Sequence, residues 1–141
     1  MVSEESTTPS LVELSWQAFE AVSRHDVDAL MRFYAPDAVL DASDLGLGTY
    51  EGVTAVGSLL DEWWRTWAEH LIEAQEIVDL GAGVVFWRVR EDGRMVGSDR
   101  HVEQRVGMVF LWAKGMIERH TIYFDIDDAR AAAGRLAEER G

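Results

Sequence analysis

The side chain of this sequence best suited to chemistry is the imidazole of His120, which lies in a segment that alternates like a β-strand. Ile122 and Phe124 share its face, while Arg119 and Thr121 take the opposite one. An imidazole transfers protons near neutral pH, and apolar surroundings tend to keep it neutral. His120 is therefore either the acid/base group of a pocket or a core histidine bonded to its neighbours.

Two further polar residues are catalytic candidates beside His120. Gln104 interrupts the apolar face of a long predicted strand, and we expect that strand to pair with the strand of His120. Gln104 would then orient the imidazole or form a structural bridge to the helices. Asp41 is the third candidate, although strict alternation directs it away from the pocket, so that it would act at the mouth with Tyr34 or Tyr50.

Large apolar side chains would form the walls of such a pocket. Helical spacing of Trp63 and Trp67 is equally typical of plain core. Glu91 ends an inward face of alternating residues and would reach the pocket rim, but a carboxylate in a predicted hairpin turn is usually solvated. The residues expected to contact a ligand are Trp16, Tyr34, Trp63, Trp67, Trp87, Met108 and Phe124.

Composition excludes several classes of function. The chain has 26 acidic and 13 basic residues, a net charge of -13, which disfavours nucleic acid and anionic membranes as partners. It has no Cys and no phosphate-binding Gly loop, and its four His lack metal-ligand spacing, so we expect neither metal nor cofactor. The N-terminus lacks signal-peptide features and no apolar run is long enough to span a bilayer, which favours a cytoplasmic protein.

The pattern of elements predicts one α+β domain. Helical spacing covers 11–25, 27–34 and 54–70, and a last helix is expected after Asp127. Period-two patterns predict strands at 38–41, 72–79, 84–91, 95–112 and 116–126, with hairpin turns at 81–83, 91–93 and 113–115. We expect a flexible N-terminus at 1–9, a domain at 10–135 and a charged tail at 136–141.

The outer face of the sheet is the predicted site of self-association. Phe86, Val109 and Leu111 fall on that face and would form an exposed apolar patch. Such a patch favours a homodimer.

Several short segments, in this order and spacing, resemble the nuclear-transport-factor-2-like superfamily and, within it, the SnoaL-like polyketide cyclase group. The segments that carry the resemblance are RHDVDAL at 24–30, YAPDA at 34–38, TYEG at 49–52, KGMI at 114–117, YFD at 123–125, DA at 128–129 and AG at 133–134. The resemblance covers about residues 10–135. It implies a cone-shaped fold in which three N-terminal helices pack on a strongly curved, mostly antiparallel sheet around an apolar pocket.

The resemblance also allows each chemistry of the superfamily to be compared with this sequence. The carboxyl and hydroxyl groups of ketosteroid isomerases would fall at Ala42, Val106 and Ala18. The acid/base Asp of polyketide cyclases and the last Asp of limonene-type epoxide hydrolases would both fall at Ile122. The His two residues before the cyclase Asp corresponds to His120. The catalytic carboxylates of these relatives are therefore absent at the corresponding positions.

Two functions remain open from the sequence. The first is a cofactor-independent cyclase, isomerase or hydrolase that acts on a small hydrophobic molecule with His120 as acid/base. The second is a domain with the same pocket that binds a ligand or dimerises without catalysis.

Overall fold

The computed structural model describes residues 9–141, which form four α-helices and six β-strands. In chain order these are α1 Leu11–Ser23, α2 Val27–Met31, β1 Tyr34–Asp41, β2 Thr49–Glu51, α3 Val53–Arg65, β3 Trp67–Gly81, β4 Val84–Met95, β5 His101–Ala113, β6 Met116–Tyr123 and α4 Ile126–Arg140. A short 3-10 turn, Ser43–Leu45, lies between β1 and β2. The predicted flexible segment 1–9 lies outside the described residues except for its last position.

All six strands belong to one sheet with the order β2-β1-β6-β5-β4-β3. The pairing is antiparallel except between β1 and β6, where Leu40 lies opposite His120 in a parallel pair. Helices α1, α2 and α3 cover the inner face of this sheet, as expected for the α+β cone. The core between them contains Leu30, Leu40 and Trp87, each at most 2% exposed.

Local signals explain where the first helices begin. Ser10 and Glu13 form a reciprocal capping box, in which each side chain accepts a hydrogen bond from the other residue's backbone N–H. Asp26 caps α2 by accepting from the N–H of Ala29. The chain therefore turns sharply at His25, which adopts a left-handed conformation with φ 56°.

The long third helix predicted for 54–70 is wrong in its last turn, because α3 ends at Arg65 and β3 begins at Trp67. The hydroxyl of Thr66 donates to the carbonyl of Trp63, 2.6 Å away, and the carbonyl of Thr66 accepts from the N–H of Val96. Pairing with the far end of β4 thus ends α3 at Arg65, whereas helical spacing alone predicts an end at residue 70.

The predicted turn at 91–93 is also wrong, since β4 continues through these residues to Met95 and the chain reverses after Val96. At Gly93 a Cβ atom would lie 1.9 Å from the backbone oxygen of Glu69. The glycine therefore marks close approach of two paired strands and not a turn. As a consequence Glu91 is fixed inside a strand.

Helix α4 packs on the outer face of the sheet, where an exposed patch was expected. Phe86 is 1% and Val109 5% exposed, and both contact a second apolar cluster that includes Ala129 and Ala133 of α4. The expectation that Phe86, Val109 and Leu111 are free for a partner is wrong because this helix covers them. The homodimer remains a prediction, but Phe86, Val109 and Leu111 no longer provide a surface for it.

The end of the chain is helical. Residues 136–140, expected as a charged tail, complete α4, and Leu136 and Ala137 pack against the sheet. Among the helices of residues 9–141, none combines the length and the apolar character that crossing a membrane requires.

Candidate functional site

A cavity of about 80 Å³ lies between the inner face of the sheet and helices α1, α2 and α3. Four polar side chains interrupt its apolar wall: Tyr34, Glu91, Gln104 and His120. Leu47 also lines the cavity and is 40% exposed, so the loop between β1 and β2 marks its mouth. The polar groups belong to two separate clusters.

The first cluster is centred on His120, which is 4% exposed on β6. Its Nδ1 lies 2.9 Å from the hydroxyl of Tyr34 and its Nε2 lies 3.3 Å from the sulfur of Met108. The ring stacks on Phe110 with centres 4.2 Å apart. Burial lowers the pKa of His120 to about 3. Burial also raises the pKa of Tyr34, so the phenol stays protonated. Because the sulfur of Met108 can only accept, the proton of the neutral ring lies on Nε2, and the Tyr34 hydroxyl donates its hydrogen bond to Nδ1.

The second cluster is centred on Glu91, which is 5% exposed on β4. Gln104 lies directly opposite Glu91 in the β4–β5 pair, and its Nε2 donates to Oε2 of Glu91 over 2.6 Å. The indole N–H of Trp63 donates to Oε1 over 3.3 Å. The expected pairing of Gln104 with His120 is therefore not observed, because Phe110 and not Gln104 faces His120 across β5 and β6.

Two further histidines extend this cluster towards the surface. His70 Nε2 lies 3.5 Å from Oε1 of Glu91, and its Nδ1 lies 2.6 Å from Nε2 of His25. His70 is stacked on Trp67 and His25 on Trp64. His25 lines an open groove between α2 and α3. Glu91, His70 and His25 thus form a continuous row of polar groups from the cavity to the outside.

The charge state of Glu91 follows from its partners. Burial alone would raise the pKa of Glu91, but the imidazole of His70, 3.5 Å away, and the hydrogen bonds from Gln104 and Trp63 outweigh burial and bring the pKa below its usual value. The pKa of His25 is lowered by burial and by His70. At neutral pH the cluster therefore holds a buried carboxylate.

Asp41 lies on the opposite face of the sheet from the cavity. Its carboxylate accepts from the side chains of Ser43 and Thr49 and pairs with Arg119 at 3.1 Å. The hydrogen bonds from Ser43, followed by the charge of Arg119, lower the pKa of Asp41. The geometry does not bring Asp41 together with His120 or Gln104, which leaves it without a place in the candidate site.

The seven predicted ligand contacts divide according to the elements that carry them. Tyr34, Trp63, Trp87 and Met108 line the cavity. Trp16 is 46% and Phe124 57% exposed, on the outer side of α1 and beyond the end of β6 respectively. Trp67 is buried against His70 but does not line the cavity.

Three of the four positions that the resemblance assigns to catalytic residues of relatives reach the cavity. Ala42, Val106 and Ile122 all line it, whereas Ala18 is buried elsewhere. These positions carry no group able to transfer a proton. Within residues 9–141, no three His, Asp or Glu side chains are arranged to hold a metal ion.

Comparisons with known proteins agree with this architecture. A family model described as the SnoaL-like domain matches residues 17–120. The chain belongs to the SnoaL-like domain family. No curated protein matches its sequence at a significant level. The match to the SnoaL-like domain model confirms the membership of the nuclear-transport-factor-2-like superfamily that the sequence predicted.

Solved structures resemble this SnoaL-like domain over most of its length. A candidate polyketide cyclase from Sinorhizobium meliloti is 26% identical with a TM-score of 0.64, and the match covers 83% of this chain and 96% of that one. A nuclear-transport-factor-2-like protein from Burkholderia pseudomallei is 20% identical with a TM-score of 0.69, over 82% and 90% of the two chains. The second match shows the fold alone.

Sequence reasoning missed the cluster around Glu91 in this SnoaL-like domain. The alternation of Val85, Trp87 and Val89 already directed Glu91 inward, but the predicted turn at 91–93 limited it to a solvated position at the rim. His70 was placed at the end of a helix, and no local pattern connects it with His25. Only the pairing of β3 with β4 brings these groups together.

Proposed function

We propose that this SnoaL-like protein binds a small, largely apolar molecule in the cavity and transfers a proton to or from it, with Glu91 as the acid/base group. The observation that carries the proposal is a buried carboxylate on the wall of a cavity that is apolar apart from Tyr34, Gln104 and His120. A positioned carboxylate is an established type of general base, and its transfer of a proton needs no cofactor.

His120 is less suited to this role than Glu91. With a pKa of about 3 its imidazole holds a proton poorly, and its single lone pair, on Nδ1, already accepts from Tyr34. Each oxygen of the Glu91 carboxylate keeps a second lone pair beside the hydrogen bond it accepts. The Nε2–H group faces the sulfur of Met108, which is a weak acceptor. His120 would therefore serve the ligand as a hydrogen-bond donor to a polar atom, with Tyr34 fixing its tautomer.

The size of the cavity limits the ligand. An engineered apolar cavity of about 150 Å³ accommodates benzene, and the cavity of this protein is about half that volume. A ligand with one ring would need Met108 or the loop with Leu45 and Leu47 to move aside. We therefore expect molecules of one ring or less.

Binding is tested first, with toluene as the probe and the indole N–H signals of ¹⁵N-labelled protein as the readout. Trp63 and Trp87 line the cavity, so their signals should shift on addition of toluene. Trp16 is half exposed and outside the cavity, and it is the internal control. If the Trp63 and Trp87 signals do not shift, or shift only together with that of Trp16, the cavity is not the binding site.

Proton transfer is tested by exchange of the α-hydrogens of cyclohexanone in D₂O, followed by NMR. We expect the protein to accelerate exchange and Glu91→Gln to abolish the acceleration. Glu118→Gln removes an equally charged but exposed carboxylate and should change nothing. If His120→Asn abolishes exchange and Glu91→Gln does not, His120 is the base instead.

The alternative is binding without catalysis. It is favoured by the apolar residues Ala42, Val106 and Ile122 at the positions where relatives of known chemistry carry catalytic groups. Toluene binding without any acceleration of cyclohexanone exchange would support this alternative over the enzyme.

A further inference from the structure

We propose that the ligand carries a cationic amine, whose ammonium group pairs with Glu91 while its apolar body fills the cavity. This inference rests on the proposed binding function and adds the chemical class of the molecule. Three observations carry it: the unbalanced charge of the wall, the aromatic surroundings and the neutral opposite end.

The charges on the cavity wall do not balance. Of the residues that line it within 9–141, Glu91 is the one acidic side chain and none is Lys or Arg. Arg90, the neighbouring cation on β4, lies on the other face and pairs with Asp92 and Glu103. The hydrogen bonds from Gln104 and Trp63 orient the carboxylate but bring no positive charge. A cation in the cavity would supply the missing charge.

The aromatic walls add to this preference. Trp63, Trp87 and Phe110 line the cavity, and Trp63 also contacts Glu91 directly. The faces of such rings attract cations, particularly where water is excluded. At the other end, burial keeps His120 neutral and Tyr34 protonated, so neither group repels a cation.

His70 is the titratable group that faces Glu91 from β3, with His25 behind it. If a proton on His70 already balanced the carboxylate, an ammonium group would gain little there. The state of this row of groups is therefore what the experiment has to decide.

Three probes of similar shape separate the possibilities: benzylamine, toluene and benzoate, titrated into labelled protein near neutral pH. We expect benzylamine to bind about tenfold more tightly than toluene, and benzoate not to bind. In Glu91→Gln, benzylamine should lose this advantage and toluene should bind as before. Glu118→Gln, which removes the same negative charge from the outside of the protein, should keep the order of the wild type.

Each outcome has one meaning. Equal affinity for benzylamine and toluene in the wild type, or tighter binding of benzoate, overturns the amine and leaves the apolar site intact. Failure of all three probes to shift the Trp63 and Trp87 signals contradicts the proposed binding function itself. The comparison within the wild type decides the question even if Glu91→Gln does not fold.

Discussion

Burial affects Glu91 and His120 differently because their hydrogen-bond partners differ. Glu91 accepts from Gln104 and Trp63, has His70 beside it and keeps a lowered pKa in spite of burial, whereas nothing charged accompanies His120 and its pKa falls to about 3. One cavity therefore contains a stabilised anion on β4 and a neutral imidazole on β6, with β5 between them. In the proposed function Glu91 is the acid/base group, and His120 donates a hydrogen bond to the ligand.

The first prediction at the residue scale concerns pH. The folded pKa of His120, about 3, lies below its ordinary value of 6.5. As pH falls below 6.5, the unfolded chain binds a proton at this residue and the folded chain does not, so the free energy of unfolding decreases. Between pH 6 and pH 5 we expect a loss of roughly 1 kcal/mol in the wild type that His120→Asn does not show.

Urea denaturation of both proteins at each pH measures this difference. His25, whose pKa is also lowered, contributes in the same direction but is present in both proteins and cancels. Equal pH dependence in wild type and variant would show that His120 is protonated in the folded state.

The second residue-scale prediction concerns the partner of His120. In Tyr34→Phe the buried Nδ1 loses its hydroxyl partner, which should cost about 1–3 kcal/mol of stability. Tyr50→Phe is the matched control, since the hydroxyl of Tyr50 donates to the carbonyl of Leu47 at the exposed mouth. We expect the control to cost less than about 1 kcal/mol by urea denaturation. Equal costs would contradict the buried hydrogen bond.

At the scale of elements, the docking of α4 on the sheet depends on close approach at Gly107. A Cβ atom there would lie 2.3 Å from the Cβ of Ala129. We predict that Gly107→Ala lowers the free energy of unfolding by about 2 kcal/mol and increases hydrogen exchange at Phe86 and Val109. The measurement combines denaturation with amide exchange.

Gly134→Ala provides the control for this prediction within α4. No atom lies within 4 Å of a Cβ at Gly134, so the substitution should stabilise the helix by about 0.5–1 kcal/mol. If both substitutions have the same effect, close contact between α4 and the sheet is not the reason that residue 107 has to be glycine.

The elements also show what the sequence could and could not predict. Alternation correctly placed His120 and Ile122 inside β6, and the capping signals at Asp26 correctly began α2. The four-residue spacing of Trp63 and Trp67 is compatible with a continuous helix and equally with the junction between α3 and β3 that forms. What ends α3 is a hydrogen bond from Val96, thirty residues beyond Thr66, and no local pattern contains it. The error at this junction concealed His70, and the turn predicted at 91–93 concealed Glu91.

At the scale of the whole molecule, the net charge of -13 is the dominant property. Repulsion among exposed carboxylates destabilises the compact state, and salt screens it over about 10 Å at 0.1 M. We predict that 0.5 M NaCl raises Tm by roughly 2–4 °C relative to low salt. A decrease in Tm measured by calorimetry would mean that surface ion pairs such as Arg130–Glu76 contribute more than the repulsion.

The parallel pairing of β1 with β6 has a consequence for how the molecule folds. The contact between Tyr34 and His120 joins residues 86 positions apart, whereas β3, β4, β5 and β6 follow one another as hairpins. Short loops close faster than long ones, so the hairpins can form before β1 pairs with β6. During synthesis on a ribosome, β6 is not available for this pairing until residue 123, its last residue, has emerged. We therefore expect the cavity to be completed last, in the step that limits the folding rate.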